Sequence, residues 1–112
     1  LAAEPFLGLP ANAARIARTA DTFVYHGIRE GQPVYAGLTN NQTRRAAEHG
    51  DNFALRAITP QAVTRPQARE IEQALIIRNP GFENKINSIS PSRPGYDSAV
   101  ERGESWLRDN GY

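Results

Sequence analysis

Cysteine and methionine are absent from the 112 residues, and lysine and tryptophan occur once each. Without thiols the chain builds no disulfide, no thiolate zinc site and no cysteine nucleophile, so its stability must come from packing. No apolar run approaches the roughly 18 residues needed to span a bilayer. An excess of charge of one sign is lacking too. The formal net charge is +1, too small by itself to advertise a polyanionic partner. Of the 13 basic residues, however, only Lys85 is not arginine. The planar guanidinium matches phosphate oxygens in pairs, although the arginine preference of a GC-rich genome would give the same bias.

What is present fits one globular domain. Hydrophobic residues make up 39% and charged residues 22%, and a chain of this length builds a single core. Residues 1–20 are alanine-rich and carry Pro5, Gly8 and Pro10, which reads as a linker followed by a short helix over Asn12–Arg18. The domain proper is expected over 21–112. Thr22–Ile28 and Pro33–Thr39 are β-branched and aromatic, and Arg29–Gln32 between them is polar and hairpin-sized, which predicts two antiparallel strands.

Asn40 or Asn41 can cap a helix running to Glu48 or His49, with Gly50 placed to end it in the left-handed conformation. Phe53–Thr59 alternates apolar and polar residues and predicts a third short strand. Thr64-Arg-Pro-Gln67 has the capping-box spacing and a first-turn proline, and starts a helix of roughly fourteen residues that ends before Pro80. Asp97 or Ser98 starts a last helix ending at Asn110-Gly111. The expected fold is therefore α/β in the broad (α+β) sense: a small central three-stranded antiparallel sheet flanked by helices.

Four groups of side chains carry chemistry. Tyr25 and Tyr35, ten positions apart on the hairpin, converge if the register puts both on one face. Arg45 and His49 lie four apart on the first full helix and project from one face. A guanidinium beside an imidazole suits phosphate transfer, one neutralising charge on phosphoryl oxygens and the other steering a proton. Arg44 and Glu48 form the neighbouring i,i+4 pair and read as a solvated salt bridge. Glu70 and Glu72 are separated by 200° of helical rotation, so one at most faces a site. Asn84 and Asn87, in Asn84-Lys-Ile-Asn-Ser-Ile-Ser-Pro91, are able to bind backbone or phosphate, the commoner role of such residues being to form turns.

The order and spacing of these groups resemble the GIY-YIG endonuclease superfamily, over about Thr22 to Asn87. Phe23-Val-Tyr25 stands for the first motif and Tyr35-Ala-Gly37 for the second. Arg45 and His49 follow Tyr35 by ten and fourteen positions, Glu72-Gln-Ala-Leu-Ile76 looks like the family's glutamate with its apolar followers, and Asn87 comes fifteen positions later. Phe23-Val24 replaces Gly-Ile, and Ala36 replaces Ile.

The resemblance implies a metal-dependent endonuclease that hydrolyses nucleic-acid phosphodiesters, DNA favoured over RNA, with one magnesium or manganese ion on Glu72. It implies catalytic roles for Tyr25, Tyr35, Arg45, His49, Glu72 and Asn87, either tyrosine being eligible as base, and substrate contacts for Thr39, Arg44 and Asn84. Residues 84–91 and the closing helix also resemble the toxin branch found at the ends of large secreted bacterial proteins. That branch implies a piece of a longer secreted chain acting in the cytoplasm of a target cell, with no membrane partner and a cognate immunity protein. A non-catalytic nucleic-acid-binding module, or a protein-interaction module of a secreted protein, is the alternative expectation.

Overall fold

The computed structural model describes residues 20–112; the helix expected over Asn12–Arg18 lies outside the described residues. The elements are β1 (Phe23–Arg29), β2 (Gln32–Thr39), α1 (Gln42–His49), β3 (Ala54–Ala57), α2 (Arg65–Arg78) and α3 (Tyr96–Asp109). They make an α+β fold in which β1 is the central strand of an antiparallel sheet ordered β2-β1-β3. Among the described residues no helix is long and apolar enough to cross a membrane.

The connection between β1 and β2 is tighter than the four polar residues foretold. Glu30 and Gly31 alone form it, with φ values of 53° and 77°, the double positive φ whose twist matches that of the flanking strands. Beyond the turn, Arg29 pairs with Gln32 and Ile28 with Pro33, but from Gly27 inward the pairing shifts to Gly27 with Tyr35 and Tyr25 with Gly37. Val34 is the extra residue of this bulge, and its carbonyl accepts instead from the Glu83 N–H at 2.8 Å. The shift decides the side of the sheet on which every later residue of β2 emerges, because strand side chains alternate with a period of two. Had the turn's register continued, Tyr35 would oppose His26 and emerge on the wrong face. With the bulge, Tyr25 and Tyr35 share a face and Val24, His26, Ala36 and Leu38 share the other.

The second face builds the core. Val24 and Ala36 pack with Ile58, Ala68, Ile71, Ala74, Leu75 and Leu107, and Leu38, Val63, Phe82 and Trp106 close around them. His26 is on this face, edge-on to Phe82 with ring centres 5.9 Å apart, as its alternation from Tyr25 requires. Burial of the α2 stripe stabilises the fold by roughly 1.5–3 kcal/mol for each large aliphatic side chain. Its start is fixed by Thr64, whose hydroxyl accepts from the Gln67 N–H at 3.3 Å, with Pro66 in the first turn. Helix α3 starts at Tyr96, one turn-residue earlier than Asp97 or Ser98, because Gly95 adopts the left-handed conformation immediately before it.

Helix α1 buries no residue fully and is set by its ends. The Asn41 side chain accepts from the Arg44 N–H at 2.9 Å, which selects Asn41 over Asn40 as the cap. Gly50 ends the helix with a positive φ of 56° but a ψ of −125°, so the chain leaves in a more extended direction than a left-handed cap would give. That exit carries Phe53 back toward the tyrosine face.

Candidate active site

Two close approaches organise the tyrosine face. Gly37 stands opposite Tyr25 in the ladder, and the phenol ring lies over it: a Cβ at position 37 would be 2.8 Å from Tyr25 Cε2 and nearer still to Cζ and the hydroxyl. Gly27 stands opposite Tyr35, and there the Phe53 ring fills the vacant side-chain space. Each ring uses the room a glycine leaves, which is how the Tyr-x-Gly spacing becomes a packing instruction.

His49 completes the cluster from the last turn of α1. Its Nε2 lies 2.7 Å from the Tyr25 hydroxyl, and its ring centre is 5.8 Å from that of Tyr35 and 4.3 Å from that of Phe53. Phe53 in turn stacks on Tyr35 at 5.2 Å with 22° between the planes. Burial, and then the Arg45 charge, lower the pKa of His49, with Glu48 opposing them. Tyr25 is 1% exposed, and burial, followed by Tyr35, pushes its pKa well above the ordinary phenol value against the opposing charge of Arg45. Tyr35 is raised by burial and then by Glu72, again with Arg45 opposing. A protonated phenol beside a neutral imidazole fixes the sense of the bond: the Tyr25 O–H donates to the Nε2 lone pair, which places the ring proton on Nδ1.

The Arg45 guanidinium acts on all three aromatic groups through its charge. Its Nε is buried without a hydrogen-bond acceptor among the described residues. Glu48 Oε1 is 3.4 Å away, near enough for attraction but outside hydrogen-bond alignment. Arg44 faces elsewhere, donating to Asn40 Oδ1 at 3.3 Å and standing 3.9 Å from Glu48.

The cleft beside this cluster has a volume of about 700 Å³ and is bordered by Tyr35 and Leu38 of β2 and by residues 83–88. Tyr35, His49 and Phe53 wall one side, and Arg65, Arg69 and Glu72 of α2 line it from the other. Glu72 is 9% exposed. Burial raises its pKa, while a Ser88 hydrogen bond and the charges of Arg69 and Arg65 oppose the rise. Glu70 is turned away: its Oε2 accepts from Arg102 of α3 at 2.7 and 3.0 Å. The half-turn of rotation between the two glutamates thus gives one to helix packing and the other to the cleft.

Of the residues expected to be catalytic, Tyr35, His49, Glu72 and Asn87 line the cleft, Tyr25 supports them from behind through His49, and Arg45 influences the cluster by charge without lining it. Asn84 also borders the cleft, but its amide is engaged at the β2 edge, accepting from Ala36 N at 3.0 Å and donating to Ala36 O at 2.7 Å. Thr39 is buried and shapes the entry to α1, its hydroxyl accepting from Asn41 N at 3.0 Å and donating to Asn41 O at 3.1 Å. Asn87 Oδ1 accepts from Gln73 Nε2 at 2.9 Å.

Sequence reasoning passed over Phe53, Arg65, Arg69, Gln73 and Ser88. The signal for two of them was available, since Arg65, Arg69 and Glu72 fall at i, i+4 and i+7, one stripe of a helix. Phe53 gave only a strand-like alternation.

Among the described residues no three histidine, aspartate or glutamate side chains gather to cage a metal ion. A single desolvated carboxylate opening on a wide cleft does fit a magnesium-type ion, which keeps most of its waters and binds through one or two carboxylates together with substrate phosphates. Glu72 is the donor that meets this description.

No protein-family model matches the chain, and no curated protein or solved structure matches it either.

Proposed function

We propose that the protein is a metal-dependent endonuclease acting on nucleic-acid phosphodiesters, duplex DNA before RNA, with a chemistry like that of the GIY-YIG superfamily. The observation that carries this reading is the meeting of the Tyr25–His49 pair, Tyr35 and the buried carboxylate of Glu72 around one cleft that Arg65, Arg69 and Lys85 make cationic. Two phenols, a neutral imidazole, one carboxylate and several guanidiniums have little packing value in a concave opening, whereas each has a use in phosphoryl chemistry.

Glu72 would hold a divalent cation, which when bound supplies Lewis acidity toward the phosphate and the departing 3′ oxygen. Arg65 and Arg69 bind non-bridging oxygens and hold the scissile phosphate against the aromatic wall. His49, neutral and engaged at Nε2, is the proton sink: Tyr35, which faces the cleft, takes a proton from the attacking water and passes its own to the buried Tyr25 hydroxyl, whose proton moves to Nε2, so the cluster gains one proton and no free phenolate is needed. Tyr35 orients that water from the cleft side. Arg45 keeps the cluster electropositive, favouring the hydroxide that the step creates. Phe53 excludes solvent from the imidazole face and fixes its tilt. By the same resemblance the domain serves as the toxic part of a secreted bacterial protein, with an immunity protein that covers the cleft.

Incubation of the folded protein with plasmid DNA and with total RNA, with and without magnesium, tests the reading. Magnesium-dependent nicking that Glu72→Ala abolishes is the expected result. DNA binding without cleavage would replace it by a non-catalytic binding module, and growth inhibition inside bacteria that survives Glu72→Ala would replace it by a protein-interaction module.

A further inference from the structure

A second groove, of about 340 Å³, opens where α2 meets the start of α3. Arg69, Arg93 and Arg102 border it together with Glu70 and Tyr96, so three guanidiniums face one carboxylate. Glu70 is engaged by Arg102, and among the described residues Arg93 makes neither an ion pair nor a side-chain hydrogen bond. A surplus of arginine over carboxylate around a concavity, on a chain of net charge +1, is an anion-binding arrangement rather than a by-product of a basic composition.

Two features join this groove to the cleft that holds Glu72. Arg69 lines both, its Nη1 tethered to the Ser88 carbonyl at 3.2 Å, which holds the guanidinium on the ridge between them. Gln73, fully buried, donates from one Nε2 to Asn87 Oδ1 at 2.9 Å and to the Tyr96 hydroxyl at 3.1 Å, while its Oε1 accepts from Ile89 N at 3.0 Å. One immobilised amide therefore positions a side chain of each concavity. Because the Tyr96 oxygen accepts from Gln73, its proton is directed outward, as a donor for an anionic oxygen.

From this we propose that the groove between Arg93 and Arg102 is a second phosphate subsite, which binds the backbone of the same nucleic-acid chain at a phosphate away from the one placed beside Glu72. Arg69 is the pivot between the two, and Arg93 is the outer grip. The inference rests on the nucleic-acid reading of the first cleft, and it adds a direction: substrate runs from the aromatic wall across α2 toward the N-terminal end of α3. Arg93 is a binding residue here and touches no reacting atom.

The test is the salt dependence of binding to a fluorescein-labelled 20-base-pair DNA duplex without divalent cation. Each phosphate contact contributes about 0.9 to the slope of log affinity against log salt. Arg93→Ala is expected to lower the slope by about 0.9 and Arg93→Lys to restore it. A slope that Arg93→Ala leaves unchanged overturns the subsite, as does wild-type protein that binds no duplex. If the wild type cuts DNA and the slope is unaltered, only the subsite falls. If the slope drops as expected while the wild type cuts nothing, the subsite stands and the nuclease reading falls.

Discussion

Replacing Gly37 by alanine puts the geometry of the tyrosine face to a numerical trial. The new methyl would stand 2.8 Å from Tyr25 Cε2, whereas carbon atoms rest about 3.5–4.0 Å apart. The ring must therefore retreat by about 1 Å. Tyr25 is enclosed, so the retreat comes at the expense of its 2.7 Å bond to His49; lengthening of that size takes the pair past the roughly 3 Å at which O–H donors remain effective. Overpacking costs about 1–3 kcal/mol, and alanine returns about 0.5–1 kcal/mol of the backbone entropy that glycine loses in a strand. The net loss is about 0–2.5 kcal/mol, at most roughly 20 °C in Tm at about 4–8 °C per kcal/mol.

A domain with about 5 kcal/mol or more of stability stays almost wholly folded through such a loss, yet a 1 Å misplacement can reduce a rate by about 100-fold. The assay pairs thermal unfolding with magnesium-dependent cleavage at 25 °C, and uses Gly81→Ala as control, since a Cβ there meets nothing within 4 Å. Cleavage by Gly37→Ala within about threefold of wild type would refute the argument that the ring occupies that space.

Three further outcomes are expected. Glu72 has a folded-state pKa raised by burial, so its stabilising contribution is present below the ordinary glutamate pKa and is lost as pH rises through the folded value; Glu72→Gln should abolish cleavage while matching or exceeding the wild-type Tm at pH 8, with the difference shrinking toward pH 4, and a lower Tm at pH 8 would contradict this. Tyr25→Phe and His49→Ala should each reduce cleavage by about 10²–10⁴-fold, with the double variant little worse than either single one, because one relay is broken in all three; multiplying effects would show independent roles. Gly103→Ala should cost about 1–3 kcal/mol, since its Cβ would lie 2.6 Å from the Glu70 carbonyl carbon and 3.1 Å from Ala74 Cβ where α3 crosses α2; urea unfolding with a midpoint unchanged from wild type would show that the helices separate freely.

The sequence disclosed the elements and their order because caps, prolines and apolar periods act locally. Thr64 with Pro66, and Asn41, mark helix starts whatever the rest of the chain does. The choice between Glu70 and Glu72 was half legible: 200° of rotation showed that they diverge, but not that Arg102, thirty-two residues later, claims Glu70. Spacing favoured Asn87 over Asn84 only slightly, and long-range contacts part them, Asn84 going to the β2 backbone and Asn87 to Gln73. Phe53 was illegible as a site residue because its place depends on the exit angle of the chain at Gly50 and on the space left by Gly27, neither of which a local pattern encodes. The side of the sheet taken by Tyr35 depended on a bulge that a strand pattern does not announce.

That bulge divides the strand into a place where length is negotiable and a place where it is not. Between the Glu30-Gly31 turn and Tyr35 stand three residues where β1 has two before Gly27, and Val34 takes up the surplus outside the ladder. Removing Val34 would let the turn's register run straight on with Tyr35 still opposite Gly27, and the loss would be the carbonyl that receives the Glu83 N–H. Removing Ala36, two positions further on, would bring Gly37 opposite His26 and Leu38 opposite Tyr25, turning a core side chain onto the phenol ring. Neighbouring positions of one strand are therefore held to different standards: the first can be subtracted, the second can only be exchanged.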